Sequence, residues 1–160
     1  MNIAIISYYF NDHHAEGIVT AKLARGLSEA GHTVTVFGNL IGNQKIVDKN
    51  SNNLDYIKIM NNTPSWWKFL KKMTLPIALR KKILAIPSLI TYNSSDDYGW
   101  VIETKKAILK EHRKRPFDII HSRLNPHSSH QVALLLKRTN PKIPWLSLIH
   151  ISEPTRRWSI

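Results

Sequence analysis

Apolar and polar positions repeat with more than one period along this chain. Ile3-Ala4-Ile5-Ile6 is a short, β-branched apolar run, the pattern of a strand buried on both faces. Residues 8–16, Tyr-Tyr-Phe-Asn-Asp-His-His-Ala-Glu, read as a polar loop that leads through Gly17 into a helix. In that helix Val19, Leu23, Leu27 and Ala30 recur at three- and four-residue spacing, which predicts that they face inward, with Lys22, Arg25, Ser28 and Glu29 on other faces. Gly31-His32 ends the helix, because glycine accepts the left-handed conformation of a helix C-terminus. Thr33-Val34-Thr35-Val36-Phe37 is a second strand. Strand, loop, helix, strand implies a parallel pair joined by a right-handed crossover, and such sheets bind ligands beyond the carboxyl ends of their strands.

The pattern loosens over residues 38–53, rich in Asn, Gly, Lys and Asp, and tightens at Asp55-Tyr56-Ile57-Lys58-Ile59-Met60, a third strand. Ser94-Ser95-Asp96-Asp97 is a helix start, and the helix runs from Asp97 to about Lys114, where Arg115-Pro116 stops it. Its Val101, Ile102, Ile108 and Leu109 point inward, and Lys105, Lys106, Lys110 and Arg113 outward. Phe117-Asp118-Ile119-Ile120-His121 is a buried strand, left by the loop Ser122-Arg123-Leu124-Asn125-Pro126. A helix begins near His127-Ser128-Ser129-His130 and continues through Arg138, and Pro141-Lys142-Ile143-Pro144-Trp145 leads into another buried strand. The fold class is therefore α/β, a Rossmann-like three-layer domain with a mostly parallel sheet, whose two strand–loop–helix units place their loops on one sheet edge.

A length of 160 residues suits one domain with a real core, and 42% hydrophobic residues fit a globular chain. The absence of cysteine removes disulfides and thiolate metal sites. No signal-type segment opens the chain and no apolar run approaches the roughly 20 residues of a membrane span, so a cytoplasmic location is expected. The net charge of +12 calls for a partner or a structural reason, and for the basic end of the helix that stops at Arg115 the reason is its place beside a helix C-terminus. Six basic residues and no acid lie within residues 66–84. There Trp66, Trp67 and Phe69 sit among Lys68, Lys71 and Lys72, the pattern of an amphipathic helix on an anionic membrane surface; the alternative is a helix packing its tryptophans on the sheet. No nucleic-acid motif is present, and nucleic acid is not expected as a partner.

The first loop carries one glycine among aromatics, histidines and acids, which argues against a plain NAD site. The string Ile5-Ile6-Ser7-Tyr8-Tyr9-Phe10, the loop ending Glu16-Gly17, Ala21-Lys22-Leu23-Ala24-Arg25-Gly26-Leu27 and Ala30-Gly31-His32-Thr33-Val34 resemble the N-terminal domain of glycosyltransferase family 4. So does Pro116-Phe117-Asp118-Ile119-Ile120-His121, followed by Ser122-Arg123 and Pro126-His127-Ser128-Ser129-His130. The family usually has Gly-Gly where this chain has Glu16-Gly17. The resemblance implies the N-terminal half of a GT-B fold, which shapes the acceptor side and works with a C-terminal domain holding most of the nucleotide-sugar site. It implies sugar transfer from a nucleotide-sugar co-substrate to a hydroxyl of a glycan or lipid-linked acceptor, with no cofactor and no obligatory metal, and no activity for this part alone. His121 matches a histidine beside the transferred sugar and is the expected catalytic residue. The expected substrate-binding residues are His13, His14, Glu16, Gly17, Arg123, Asn125 and His127, Arg123 through its planar fork of donors.

Other arrangements fail on chemistry. Adjacent His13-His14 chelate one ion poorly and match no metal signature. Ser122 or Ser128 lacks the elbow motif that would expose a nucleophile. Two further readings stay open, a nucleotide-sugar epimerase of the same fold and a non-catalytic basic module binding membrane or nucleic acid. The string Leu146-Ser147-Leu148-Ile149-His150-Ile151-Ser152-Glu153-Pro154-Thr155-Arg156 resembles a translated transposon-type sequencing adapter. The domain is accordingly taken as residues 1–145 and residues 146–160 as a non-native tail, the alternative being a strand over residues 146–151.

Overall fold

A computed structural model describes residues 1–10, 15–39, 53–60, 97–123 and 127–148. Among them are five strands, β1 (Asn2–Tyr9), β2 (Thr33–Asn39), β3 (Leu54–Lys58), β4 (Ile119–Arg123) and β5 (Trp145–Leu148). Three helices alternate with them, α1 (Ala15–Glu29), α2 (Tyr98–Lys114) and α3 (Ser128–Thr139). The strands form one parallel sheet in the order β3-β2-β1-β4-β5. The α/β, Rossmann-like, three-layer expectation holds.

Strand parity decides which residues face which layer. Ile3, Ile5, Val34 and Val36 pack with Ala24 of α1 on one side. Ala4, Ile6, Phe37 and Ile120 pack with Trp100, Val101 and Ile108 of α2 and Val132, Ala133 and Leu136 of α3 on the other. The crossovers β1-α1-β2 and β4-α3-β5 thus leave the sheet centre in opposite directions over opposite faces, which gives them the same hand. Each large aliphatic buried here contributes about 1.5–3 kcal/mol.

The inner face of α1 differs from the periodic expectation. Gly17, Thr20, Ala24 and Ser28 are buried, whereas Val19 and Ala30 are exposed and Leu23 and Leu27 are half-buried. Small residues let this helix lie close to the sheet, and the Thr20 hydroxyl bonds locally, to the Glu16 carbonyl, instead of seeking water. The C-terminus of α1 behaves as expected. Gly31 has φ +83°, its N–H donates to the Ser28 carbonyl at 3.0 Å and the His32 N–H donates to the Leu27 carbonyl at 3.1 Å. That pair of bonds satisfies the last carbonyls of the helix.

Several boundaries move. β1 extends through Tyr9 and α1 begins at Ala15, so Tyr8, Tyr9 and Glu16 belong to regular elements and the first loop is shorter than residues 8–16. Ser122 and Arg123 finish β4 instead of leaving it, and Phe117 and Asp118 precede it. There the Asn2 N–H donates to Asp118 Oδ2 at 2.6 Å and the Asp118 N–H returns to the Asn2 carbonyl at 2.8 Å, aligning β1 with β4. β3 starts at Leu54 and ends at Lys58. α2 has Asp97 as its N-cap without a side-chain capping bond, and its Lys105 is half-buried. β5 runs over Trp145–Leu148 as an edge strand with Leu146 and Leu148 exposed, so the strand expected after Pro144 is not fully buried and includes the first residues of the expected tail. Gly38 is required by close approach. A Cβ there would lie 2.7 Å from the Ser7 carbonyl oxygen and 3.2 Å from the Phe10 Cβ, at the carboxyl end of β1.

Candidate functional site

The strand order changes direction between β1 and β4, which pair directly, with Ile5 beside His121 and Ile6 beside Ser122. Beyond such a switch point the two flanking loops diverge and leave a crevice. The structure ties its walls together crosswise. The Tyr8 N–H at the end of β1 donates to Ser129 Oγ in the first turn of α3 at 3.1 Å. In return Arg123, at the end of β4, reaches the first turn of α1, where its Nε lies 2.9 Å from Glu16 Oε2 and its guanidinium donates to Thr20 Oγ1 at 3.4 Å. Each strand is therefore strapped to the helix that follows the other.

Arg123 is almost fully buried, at 1% exposure, and Glu16 is half-buried. A guanidinium in that position needs a carboxylate partner, because an uncompensated buried charge costs several kcal/mol. Thr20 Oγ donates in turn to the Glu16 carbonyl at 2.7 Å and lies 3.4 Å from Ser7 Oγ, which donates to the Tyr9 carbonyl at 2.7 Å. The small polar face of α1 thus serves the end of the sheet.

His121 lies on the same face of β4 as Arg123 and is 7% exposed. Its Nδ1 is buried and has no hydrogen-bond partner among the described residues. Burial lowers its proton affinity below the usual histidine value, helped by the positive charge of Arg123 and by His130. A neutral imidazole with an unsatisfied nitrogen beside a crevice can accept or donate a hydrogen bond to a ligand.

Across the sheet the neighbouring residue lives differently. Ser122 Oγ accepts the Trp145 indole N–H at 2.8 Å and lies 3.4 Å from His130 Nδ1. The other ring nitrogen of His130, Nε2, bonds Ser147 Oγ, and Trp145 meets the ring edge-on at 5.8 Å. Burial lowers the proton affinity of His130, a hydrogen bond with the Arg123 backbone opposes that, and His127 adds to it. Ser122 is fully buried, so its hydroxyl cannot meet a substrate carbonyl.

Tyr8 completes the wall toward α2, edge-on to Trp100 at 4.9 Å and to Tyr9 at 5.1 Å. Burial raises the proton affinity of its phenol, a hydrogen bond with Asn39 opposes this and Asp97 reinforces it, so the group is a hydroxyl at neutral pH.

Of the residues singled out in the sequence, Glu16, Gly17, His121 and Arg123 meet at this end of the sheet. Gly17 is buried on the inner side of α1. His127 is exposed at the N-cap position of α3 and makes no side-chain capping bond. His13, His14, Asn125, Trp66, Trp67, Lys68, Phe69, Lys71 and Lys72 lie outside the described residues. Sequence reasoning missed Ser7, Tyr8, Thr20, Ser129 and His130 as parts of the rim or its support. The one sequence cue was the pair of hydroxyls, Thr20 and Ser28, recurring with Gly17 and Ala24 along one helix face.

A groove of about 240 Å³ lies elsewhere, under β2 and β3 on the α2 side, lined by Thr35, Asp55, Ile57, Glu111, Arg115 and Phe117 among others. Among the described residues no three His, Asp or Glu side chains are arranged to hold a metal ion. No described helix is long and apolar enough to cross a membrane. Comparison with protein-family models and with curated proteins gave no match.

Proposed function

We propose that this chain is the acceptor-side, N-terminal half of a glycosyltransferase of the GT-B type, transferring a sugar from a nucleotide-sugar donor to an acceptor hydroxyl. The observation that carries the reading is the buried Nδ1 of His121, which has no partner among the described residues, on the strand β4 that pairs with β1, two residues before Arg123, which is held by Glu16. The sequence resemblance to glycosyltransferase family 4 runs through the same two segments, which supports the choice of chemistry.

In this reading His121 gives a hydrogen bond to a hydroxyl of the transferred sugar, or to the charge that develops on the departing phosphate. Such preorganised donors act where water is excluded and need no reorganisation as the bond breaks. α1 follows β1 and α3 follows β4, so both helices begin at the carboxyl end of the sheet, where helix N-termini favour the negative charge of a diphosphate. The rest of the donor site belongs to a second Rossmann-like domain of a longer polypeptide. The acceptor is a glycan or a lipid-linked sugar used in building cell-surface polysaccharide, and the work is done at the cytoplasmic face of a membrane. Basic, aromatic residues 66–84 support that placement by their attraction to anionic lipid.

The purified chain and the product of the complete reading frame that encodes it, incubated with radiolabelled nucleotide sugars and lipid-linked or oligosaccharide acceptors, test the proposal. The chain alone is expected to show no turnover and the complete product to transfer sugar. Turnover by the chain alone, or a complete product without a second nucleotide-binding domain, contradicts it.

A further inference from the structure

We propose that Arg123, fixed by Glu16 and Thr20, is a positioning residue for His121. It sets a buried positive charge on the same face of β4 so that the imidazole meets its ligand as an uncharged hydrogen-bonding group. The idea rests on the proposed role of His121 for its functional meaning, but the coupling between the two side chains stands on geometry.

His121 and Arg123 alternate with Ser122 along β4, so their side chains leave the same face with Cα atoms about 7 Å apart. Both residues are more than nine-tenths buried. Between two cations at that separation, with little water between them, repulsion is strong, and the fixed guanidinium excludes a proton from the ring. Arg123 cannot swing away, because Glu16 Oε2 lies 2.9 Å from its Nε and Thr20 Oγ1 lies 3.4 Å from its terminal nitrogen.

Glu16 offsets part of the guanidinium's field, and the remaining groups around the ring add no negative charge. β1 presents Ile5 opposite His121, β5 presents Leu146, and Ser7 contributes a hydroxyl committed to the Tyr9 carbonyl. From α1 comes Glu16, already engaged with Arg123, while Lys22 and Arg25 are exposed. From the α3 side come His130, which also disfavours a charged His121, and the exposed His127. An apolar contact would fasten α1 to β4 as firmly as the ion pair without the cost of desolvating two charges. Keeping the charges has a purpose if their field is used.

Histidine ring titration by long-range proton–nitrogen NMR tests the proposal, with His121 identified from the signal missing in His121→Gln and His130 as an internal reference. Arg123→Gln is expected to raise the His121 pKa by about half a unit or more. Glu16→Gln, which uncovers the guanidinium, should lower it, and Arg123→Lys should keep it near wild type. If Arg123→Gln does not fold because Glu16 loses its partner, the double variant Glu16→Gln/Arg123→Gln decides, and a smaller rise is expected because the Glu16 carboxylate is removed as well. A His121 pKa that stays within about 0.2 unit, or falls, in Arg123→Gln or in the double variant overturns the coupling. A parallel titration of the complete reading frame's product with UDP-glucose and GDP-mannose separates this from the function itself. Ring signals of His121 that ignore both nucleotide sugars while the coupling persists count against the transferase reading, and the reverse pattern counts against the coupling.

Discussion

The two faces of β4 carry two histidine environments that differ in burial and in every bond. On the α3 face both nitrogens of His130 have hydroxyl neighbours, Ser122 and Ser147, and Trp145 closes the ring edge. On the α1 face His121 is more buried, yet its Nδ1 has no partner among the described residues, and its polar neighbour on the strand is a cation held by Glu16. Burial lowers the proton affinity of both rings. The difference teaches that a buried histidine is a structural tie when its nitrogens are spent within the fold, and a candidate ligand contact when one is left over.

Removing the brace from the α1 face should have the largest effect on stability. Arg123→Met leaves the Glu16 carboxylate without its cation and should cost about 3 kcal/mol in urea denaturation. Loss below about 1 kcal/mol would mean that the pair is not what joins α1 to β4. On the α3 face His130→Ala removes a ring bonded at both ends and should cost about 2 kcal/mol by the same measurement. Trp145→Phe removes one indole donor and leaves Ser122 with His130, for an expected loss of about 1 kcal/mol. His121→Gln should change stability by less than about 0.5 kcal/mol, since no described hydrogen bond is lost. A cost for His121→Gln equal to that of the His130 change would erase the contrast.

Acidity sharpens the comparison. Both imidazoles hold protons less tightly when folded than at the ordinary histidine value of 6.5. As pH falls below that value the unfolded chain binds protons first, so stability is full above about pH 6.5 and is lost as pH drops through the lowered folded values. Urea midpoints taken from pH 7.5 to pH 5 should fall, and the fall should shrink in both His121→Gln and His130→Gln. A fall unchanged in both variants would assign the effect to other groups.

Much of the fold was legible because strands buried on both faces, such as Ile3-Ala4-Ile5-Ile6, leave an unbroken apolar signature, and because Gly31 marks the end of α1. The face of α1 was misread for a physical reason. Apolar periodicity selects Val19 and Ala30, but close packing on the sheet selects Gly17, Thr20, Ala24 and Ser28, whose value lies in small size. His121 could be reached from the sequence as a strand-end histidine. The partners that define its surroundings could not, because Glu16 and Thr20 come from an element far away in the chain and Arg123 looked like a loop residue able to reach a ligand. The hydroxyl ties of His130 were invisible for the same reason, since Ser122, Ser147 and Trp145 meet it only once β4, β5 and α3 are assembled.

The contrast between the two histidines is tested most directly by turnover. In the sugar-transfer assay of the complete reading frame's product, kcat should be compared for His121→Gln and His130→Gln at matched folded fraction. The account predicts a fall of about 100-fold or more for His121→Gln and less than about 3-fold for His130→Gln. Equal losses, or a larger loss at His130, would contradict it.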